Sequence, residues 1–390
     1  MSEKLFESQN WSATKDVLLE GLNGNRKAVM ETVLENTKRN IMESASAGAT
    51  QTGNIAVLNK VILPVIRRVM PTVIANEIIG VQPMTGPVGQ IHTLRVRYAE
   101  SAAGVTAGTE ALSPFEIAKA YSGNGDQSNP AGETTATMEG AIGRKLSIQI
   151  LKQTVEAKSR KMSARWTFEA AQDAQAMHGL DVEAEIMAAL AQEITAEIDQ
   201  EILGKLMNLA GTATHTFDQT GQFTGTPTYV GDQHAVLAIQ INDVANKIAQ
   251  RTRRGAGNFV VVSPTALTVL QSATTSAFAR TTEGTFEAPT NTKFVGTLNS
   301  SVKVYVNSYA DASAPVLIGY KGPNEMDAAA FYCPYIPLMS SGVVLDPNTM
   351  EPVVSFMTRY GYVELTNTAS SLGNAADYLG KINIGTIKYA

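Results

Sequence analysis

The amino-acid sequence predicts an α+β fold, with its helices and strands grouped along the chain. Two segments of period-two alternation, 91–99 and 145–153, flank a Gly-, Ala- and Ser-rich stretch too long for a tight turn. An unbroken helical pattern runs from 182 to about 209. The tail, 329–365, is rich in β-branched and aromatic residues.

Composition narrows the function classes. The chain has 390 residues, 44% apolar and 17% charged, against roughly 25% charged for an average soluble domain. A weakly charged, Ala-, Thr- and Gly-rich surface suits a protein covered by copies of itself. A net charge of −5 lacks the basic footprint of a protein that grips nucleic acid. Any DNA would meet a container wall. One cysteine, Cys333, excludes an intrachain disulfide and any Cys-rich metal site. The opening MSEKLFESQN is polar, without the apolar core of a signal peptide. The most apolar stretch, 54–80, is interrupted by Lys60, Pro64, Arg67, Arg68 and Pro71, which argues against a membrane span or a membrane partner. A reducing cytoplasm is the expected site of synthesis and assembly.

Residues 1–53 read as a polar arm with one amphipathic helix over about 25–43, its face formed by Val29, Val33, Leu34, Thr37 and Ile41. Being short, that helix needs something else to pack on. The small residues of 44–53 form a joint, and 55–79 reads as Pro-punctuated helix. In 91–99, Leu94, Val96 and Tyr98 alternate with Arg95 and Arg97; in 145–153, Leu146, Ile148 and Ile150 mark the matching strand. Between them GNGDQSNPAGE (123–133) is expected at the tip of an extended two-stranded loop.

A helical region is predicted to open at Ser163 and to end at His178-Gly179, with Asp181 as N-cap of the long helix. That helix carries Ile186, Leu190, Ile194, Ile198, Ile202 and Leu206 at four-residue steps. Each step overshoots a 3.6-residue turn by about 40°, so the stripe winds and meets several partners. A helix at about 234–251, the strand 259–263 and a helix from Pro264 follow, and 301–309 and 314–322 are expected to pair as strands. A turn is placed at 346–349.

Catalytic chemistry is not legible. His92, His178, His215 and His234 lack metal-ligand spacing with another His, Cys or helical acid. Cys333 reads as a small buried residue. The glycines of RRGAGN (253–258) follow a helix and enter a strand, the reverse of a phosphate loop, so they read as a turn. The acids Glu183, Glu185, Glu193, Glu197, Asp199 and Glu201 read as a solvated or interface face, and Lys158, Arg160, Lys161 and Arg165 as a charged interface patch. No enzyme activity and no cofactor are expected.

Longer strings carry a resemblance. IRRVMPTVIANEIIGVQPMTGPVGQIHTLRVRY (66–98), VEAKSRKMSARWTFEAAQDAQAMHGLDVEAE (155–185), RRGAGNFVVVS (253–263), YKGPNEMDAAAFYCPYIPL (320–338) and MEPVVSFMTRYGY (350–362) resemble, in family order, the major capsid proteins of T-even-type tailed bacteriophages. The resemblance implies a Hong Kong 97-type capsid fold. It places an N-terminal arm at 1–53, the start of the peripheral (P) domain at 54–90 and an E-loop at 91–160. It places the spine helix of the P domain at 161–210, a mainly axial (A) domain at 211–328, and a β-rich return segment, again P domain and C-terminus, at 329–390. A separate insertion domain has room only in 100–144 and is expected to be absent or vestigial.

The implied function is a virion head subunit, assembled in the host cytoplasm into hexamers, with pentamers left open, that form an icosahedral shell around double-stranded DNA. Implied partners are the chain itself, portal, scaffold, vertex and decoration proteins, and DNA held non-specifically. Family members are trimmed after Glu in a Leu/Ile-x-Glu context; Leu18-Leu19-Glu20 and Ile41-Met42-Glu43 fit, and Glu43–Ser44 is the preferred bond. The resemblance also suggests that Arg95, Arg97, Lys158, Arg160 and Lys161 of one subunit meet Glu193, Glu197 and Glu201 of the next; the competing reading is that both sets face water or pair within one subunit. A cellular nanocompartment shell of the same fold and a cytosolic α/β enzyme stay open as rival readings. Neighbouring genes distinguish the first; particle formation against a small oligomer distinguishes the second.

Overall fold

The computed structural model describes residues 19, 24, 27–36, 74–109, 111, 118–126, 128–140, 142–178, 181–220, 230–252, 254–273, 278–280, 293–299, 301–324, 327–349, 351–364 and 375–388. In chain order the labelled elements are helix α1 (27–36), strands β1 (Gly80–Val81), β2 (Val88–Tyr98), β3 (Leu146–Glu156) and β4 (Lys158–Arg165), and helices α2 (Phe168–His178) and α3 (Val182–Leu209). Then come β5 (His215–Phe217), α4 (Val230–Thr252), β6 (Phe259–Val262), α5 (Pro264–Ser272), β7 (Phe278–Arg280), β8 (Lys293–Leu298), β9 (Val302–Val306) and β10 (Val316–Gly319). β11 (Ala330–Leu345), β12 (Pro352–Glu364) and β13 (Leu379–Ile384) complete the chain. Helices and strands are both extensive, as an α+β chain requires.

The chain forms two compact units. The first comprises Met1–Gly89, Val155–Lys205 and Phe331–Val363. Its sheet has the order β1-β11-β12-β4, with β4 antiparallel to β12 from Tyr360↔Lys158 to Val353↔Arg165. α3 is its main helix, about 42 Å long at 1.5 Å per residue. The Asp181 side chain caps it, Oδ1 accepting from Glu183 N at 3.1 Å and Ala184 N at 3.4 Å. Leu190, Ile194, Ile198, Ile202 and Leu206 are buried, the last three at 0–1% exposure, and Ile186 is half-buried. The winding stripe is core.

The second unit comprises Gln90–Thr154, Leu206–Ala330 and Glu364–Ala390. Among the described residues its larger sheet has the order β5-β13-β10-β6-β9-β8-β7. α4 lays Leu237, Ile241, Val244 and Ile248 against it, a 3.6-residue stripe. α5 starts with Pro264 behind the N-cap Ser263, whose Oγ accepts from Ala266 N at 3.3 Å. β2 and β3 pair as a two-stranded ribbon. Residues 100–144 beside it hold a small cluster in which the Tyr98 and Tyr121 rings lie 4.5 Å apart with Ala111 beneath them.

Several sequence expectations are corrected. No helix opens at Ser163: Lys158–Arg165 is an edge strand, because Arg160, Met162 and Ala164 alternate inward and β12 offers a ladder that local sequence cannot reveal. The strands at 301–309 and 314–322 do not pair with each other. All four residues of β6 are buried, so β6 takes a neighbour on each edge, β9 parallel and β10 antiparallel. The arm helix packs on its own chain: Val29, Met30, Val33 and Leu34 are buried, and Asn36 Nδ2 donates to Met84 O (2.8 Å) and Tyr335 O (3.2 Å). The helix predicted at 55–79 lies outside the described residues except for the turn Ala75–Ile78.

The stripe generates a first test. Ile194 is 1% exposed, so Ile194→Asp places an unpaired carboxylate in the core at a cost of several kcal/mol. The expected outcome is insoluble or unfolded protein, scored by soluble yield and circular dichroism.

Candidate functional site

Two features of the described residues stand out: a charged cluster in the first unit and an uncovered apolar strand in the second. In the first unit, period-two alternation along β4 turns Arg160 inward toward α3 and leaves Lys161 exposed; Lys158, on the Arg160 face at the start of the strand, is exposed too. The Arg160 fork then engages two acids one helical turn apart. Its Nη1 donates to Glu197 Oε2 at 2.7 Å and its Nη2 to Glu201 Oε2 at 2.5 Å, while Nε donates to the Tyr360 hydroxyl at 2.6 Å. The Tyr360 hydroxyl donates onward to Glu201 Oε2 at 2.5 Å, and Lys205 Nζ donates to Glu201 Oε1 at 2.5 Å. Lys205 also sits 4.5 Å above the Tyr362 ring. Arg160, Glu201, Lys205, Tyr360 and Tyr362 line a cleft of about 280 Å³ together with Glu156, Lys158 and Ser159.

The cluster has a clear electrostatic sense. Burial alone would raise the Glu201 carboxyl, but hydrogen bonds from Arg160, Lys205 and Tyr360 hold it down at about 2. Burial and the adjacent Glu201 raise the Tyr360 hydroxyl. The acids of α3 are therefore not one solvated face. Glu193 is exposed and Glu197 half-buried, whereas Asp199 is 1% exposed. Asp199 shares the buried side of α3 with Ile198 and Ile202, and its Oδ1 accepts from Ile74 N at 2.9 Å while Oδ2 has no hydrogen-bond partner among the described residues. Burial pushes this carboxyl up to about 7, opposed by the Ile74 hydrogen bond.

Of the predicted charge contacts, Arg160, Glu197 and Glu201 meet within one chain. The Arg160 donors face its own helix. Arg97 is half-buried with Nε unpartnered, and the Arg95 side chain, Glu43 and Ser44 lie outside the described residues. Sequence reading missed Lys205 and Tyr360. Lys205 was findable, four residues after Glu201 on a helix; Tyr360 was not, because only the β4–β12 register brings it there.

In the second unit, the first three even-numbered side chains of β3 form an apolar row. Leu146, Ile148 and Ile150 are 55%, 68% and 67% exposed, and Ile142 just before them is 86% exposed. Elsewhere in this unit, residues 254–258 form a bend and an irregular connection before β6: a side chain at Gly255 would strike the Tyr320 ring, and one at Gly257 would crowd Ile318 and the Ala245 backbone. Arg254 pairs there with Asp327. Buried His234 places Nδ1 2.7 Å from Ser272 Oγ and Nε2 3.1 Å from Lys388 O. His215 lies 2.6 Å from Asp243, which Lys247 and His215 together hold low. His92 is exposed, and His178 ends α2. In the first unit, Cys333 is buried and its thiol is pushed up to about 12. Among the described residues no three His, Cys, Asp or Glu could hold a metal, and no helix is long and apolar enough to cross a membrane.

The two acids give opposite pH signatures. Glu201 is held below its ordinary 4.5, so it stabilises the fold above that pH and the contribution fades as pH falls toward 2. Glu201→Gln should lower stability at neutral pH by about 2 kcal/mol, with the difference from wild type shrinking below pH 4.5. Asp199 is held above its ordinary 3.8, so stability falls as pH rises from there through about 7. Asp199→Asn keeps an acceptor for Ile74 N and should raise the melting temperature most above pH 7. Thermal melts against pH check both signs.

Comparison with known proteins supplies the family. A family model described as "Major capsid protein Gp23" matches residues 55–141 and 125–384. The major capsid protein of Vibrio phage KVP40 is 29% identical, covering 96% of this chain and 90% of that protein. That of Enterobacteria phage T4 is 31% identical over 81% of this chain and 77% of that protein. A solved structure titled "Microbacterium phage Oxtober96" has a TM-score of 0.47 at 12% identity, covering 80% of this chain and 90% of that one; so slight a likeness adds nothing to the assignment. The family match spans most of the sequence on either side of the ribbon and both units of the fold, and the chain belongs to the Gp23 major capsid protein family.

Proposed function

We propose that this protein is the non-enzymatic shell subunit of a tailed-phage head, built on a Hong Kong 97-type plan and enclosing double-stranded DNA. The family match over 55–384 carries the reading. In this plan the β2–β3 ribbon is the E-loop, α3 the spine helix of the P domain, and the β6-centred sheet the A domain. The virion head is its location, with assembly in the host cytoplasm.

The ribbon supports self-association on physical grounds. A two-stranded ribbon is marginal in water, and this one exposes Leu146, Ile148 and Ile150 in a row. Burying each such side chain contributes about 1.5–3 kcal/mol, a gain that only another surface can supply. A second copy is the partner implied by the family. The exposed charges Lys158, Lys161 and Glu193 are left to set register between copies, Arg160 being engaged by its own helix. Portal, scaffold, vertex and decoration proteins complete the set of partners. A net charge of −5 suits a wall that holds DNA without gripping it. Cleavage, if a maturation protease acts, falls at Glu43–Ser44.

The test is assembly. Wild-type protein should form hexamers and closed or tubular particles in size-exclusion chromatography and negative-stain microscopy. Ile148→Glu should fold normally by circular dichroism and remain unassembled. A wild type that stays monomeric at high concentration, with or without scaffold, removes the reading.

A further inference from the structure

The tip of the segment beside the ribbon carries chemistry that a shell subunit does not need. Asn124 and Gly125 form a short exposed strand, with Asn124 opposite Ala131 and Gly125 opposite Pro130. Proline has no N–H, and the Gly125 N–H is directed elsewhere: it lies 2.7 Å from Oδ1 of Asn124, its own neighbour. That contact brings the Asn124 side-chain carbon, one bond from Oδ1, beside the Gly125 nitrogen. Gly125 has φ +92°, a backbone conformation that favours glycine, and it carries no side chain to hinder approach to its nitrogen. Asp126 then closes the loop, accepting from Ser128 N, Ser128 Oγ and Asn129 N at 2.9–3.0 Å.

We infer that Asn124 is a site of spontaneous deamidation, with water as the only co-reactant. The Gly125 nitrogen, after losing its proton to solvent, attacks Cγ of Asn124. The N–Cγ bond forms, the Cγ–Nδ2 bond breaks, and ammonia leaves with a proton from water. The resulting five-membered imide is opened by water at either carbonyl. Opening at Cγ restores the chain with aspartate at 124; opening at the main-chain carbonyl leaves isoaspartate, whose backbone runs through the former side chain. The sum is asparagine plus water giving a carboxylic acid plus ammonia, with no change of oxidation state.

Three other described asparagines are set differently; Asn23, which also precedes a glycine, lies outside the described residues. Asn129 precedes Pro130, which has no N–H to lose. Asn258 is clamped, its Nδ2 donating to Lys321 O at 2.5 Å and its Oδ1 accepting from Lys321 N at 2.9 Å. Asn36 is buried with its amide donating to two carbonyls. Asn124 combines exposure, a following glycine and a side chain folded onto that glycine's N–H.

Conversion has a structural consequence. Either product adds a carboxylate two residues before Asp126. The isoaspartyl product also lengthens the backbone by one carbon, which breaks the register of Asn124↔Ala131 and Gly125↔Pro130 and opens the loop. A subunit held for long in an assembled particle would accumulate the change as it ages.

The experiment ages the full-length protein, unassembled and as particles, in mildly alkaline buffer made with heavy-oxygen water, followed by peptide mass spectrometry. The expected result is heavy-oxygen incorporation at Asn124, partitioned between aspartyl and isoaspartyl peptides, while Asn36 and Asn258 stay unchanged. Asn124→Gln, which cannot close a five-membered ring, should lose the signal without altering the fold. Retention of the Asn124 amide while a synthetic peptide of the same segment converts would show that the fold protects it and would overturn the inference. Equal conversion at Asn258 would overturn it as well.

Discussion

The winding apolar stripe of α3 is the constraint on which the first unit rests. Leu190, Ile194, Ile198, Ile202 and Leu206 are all buried, although steps of four residues on a 3.6-residue helix drift steadily around the axis. A drifting stripe cannot be buried by one straight partner. The helix must be wrapped, which is why residues from segments far apart in the chain converge on it: Ile74 bonds Asp199, and Arg160 and Tyr360 bond Glu201.

The polar groups on α3 follow from the same drift. Asp199 falls on the buried side and has one oxygen bonded and one without a hydrogen-bond partner among the described residues, so its neutral form is favoured. Glu197 and Glu201 fall at the edge of the buried side, where a guanidinium can reach both. One helix thus holds a carboxyl pushed up to about 7 and another held at about 2, two residues apart. Local sequence makes them alike; burial and hydrogen-bond partners separate them.

Alternation along β4 makes a second division. Arg160 and Lys161 are adjacent in a basic run, yet the first is drawn onto α3 and the second stays exposed. A basic patch read from sequence is therefore two populations, one locking the subunit's own fold and one left on its surface. The ribbon shows the complementary pattern: its row of exposed Leu and Ile side chains is unsatisfied within the single chain.

The sequence by itself determined the elements whose signal is local. The bounds of α3, its Asp181 cap and its core stripe, the Ser263–Pro264 helix start, the connection before β6 and the ribbon strands are set by periodicity, capping and glycine chemistry within a few residues. Long strings shared with one family made the α+β class and the family legible too. What tertiary structure alone decided depends on pairing across long separations. β4 became a strand because β12 lay available to it, β6 separated β9 from β10 because a fully buried strand needs two neighbours, and Tyr360 reached Glu201 through ladder register. Local propensity carries no information about a hydrogen-bonding partner two hundred residues away, and for Arg160 that partner decided whether its charge served the fold or the surface.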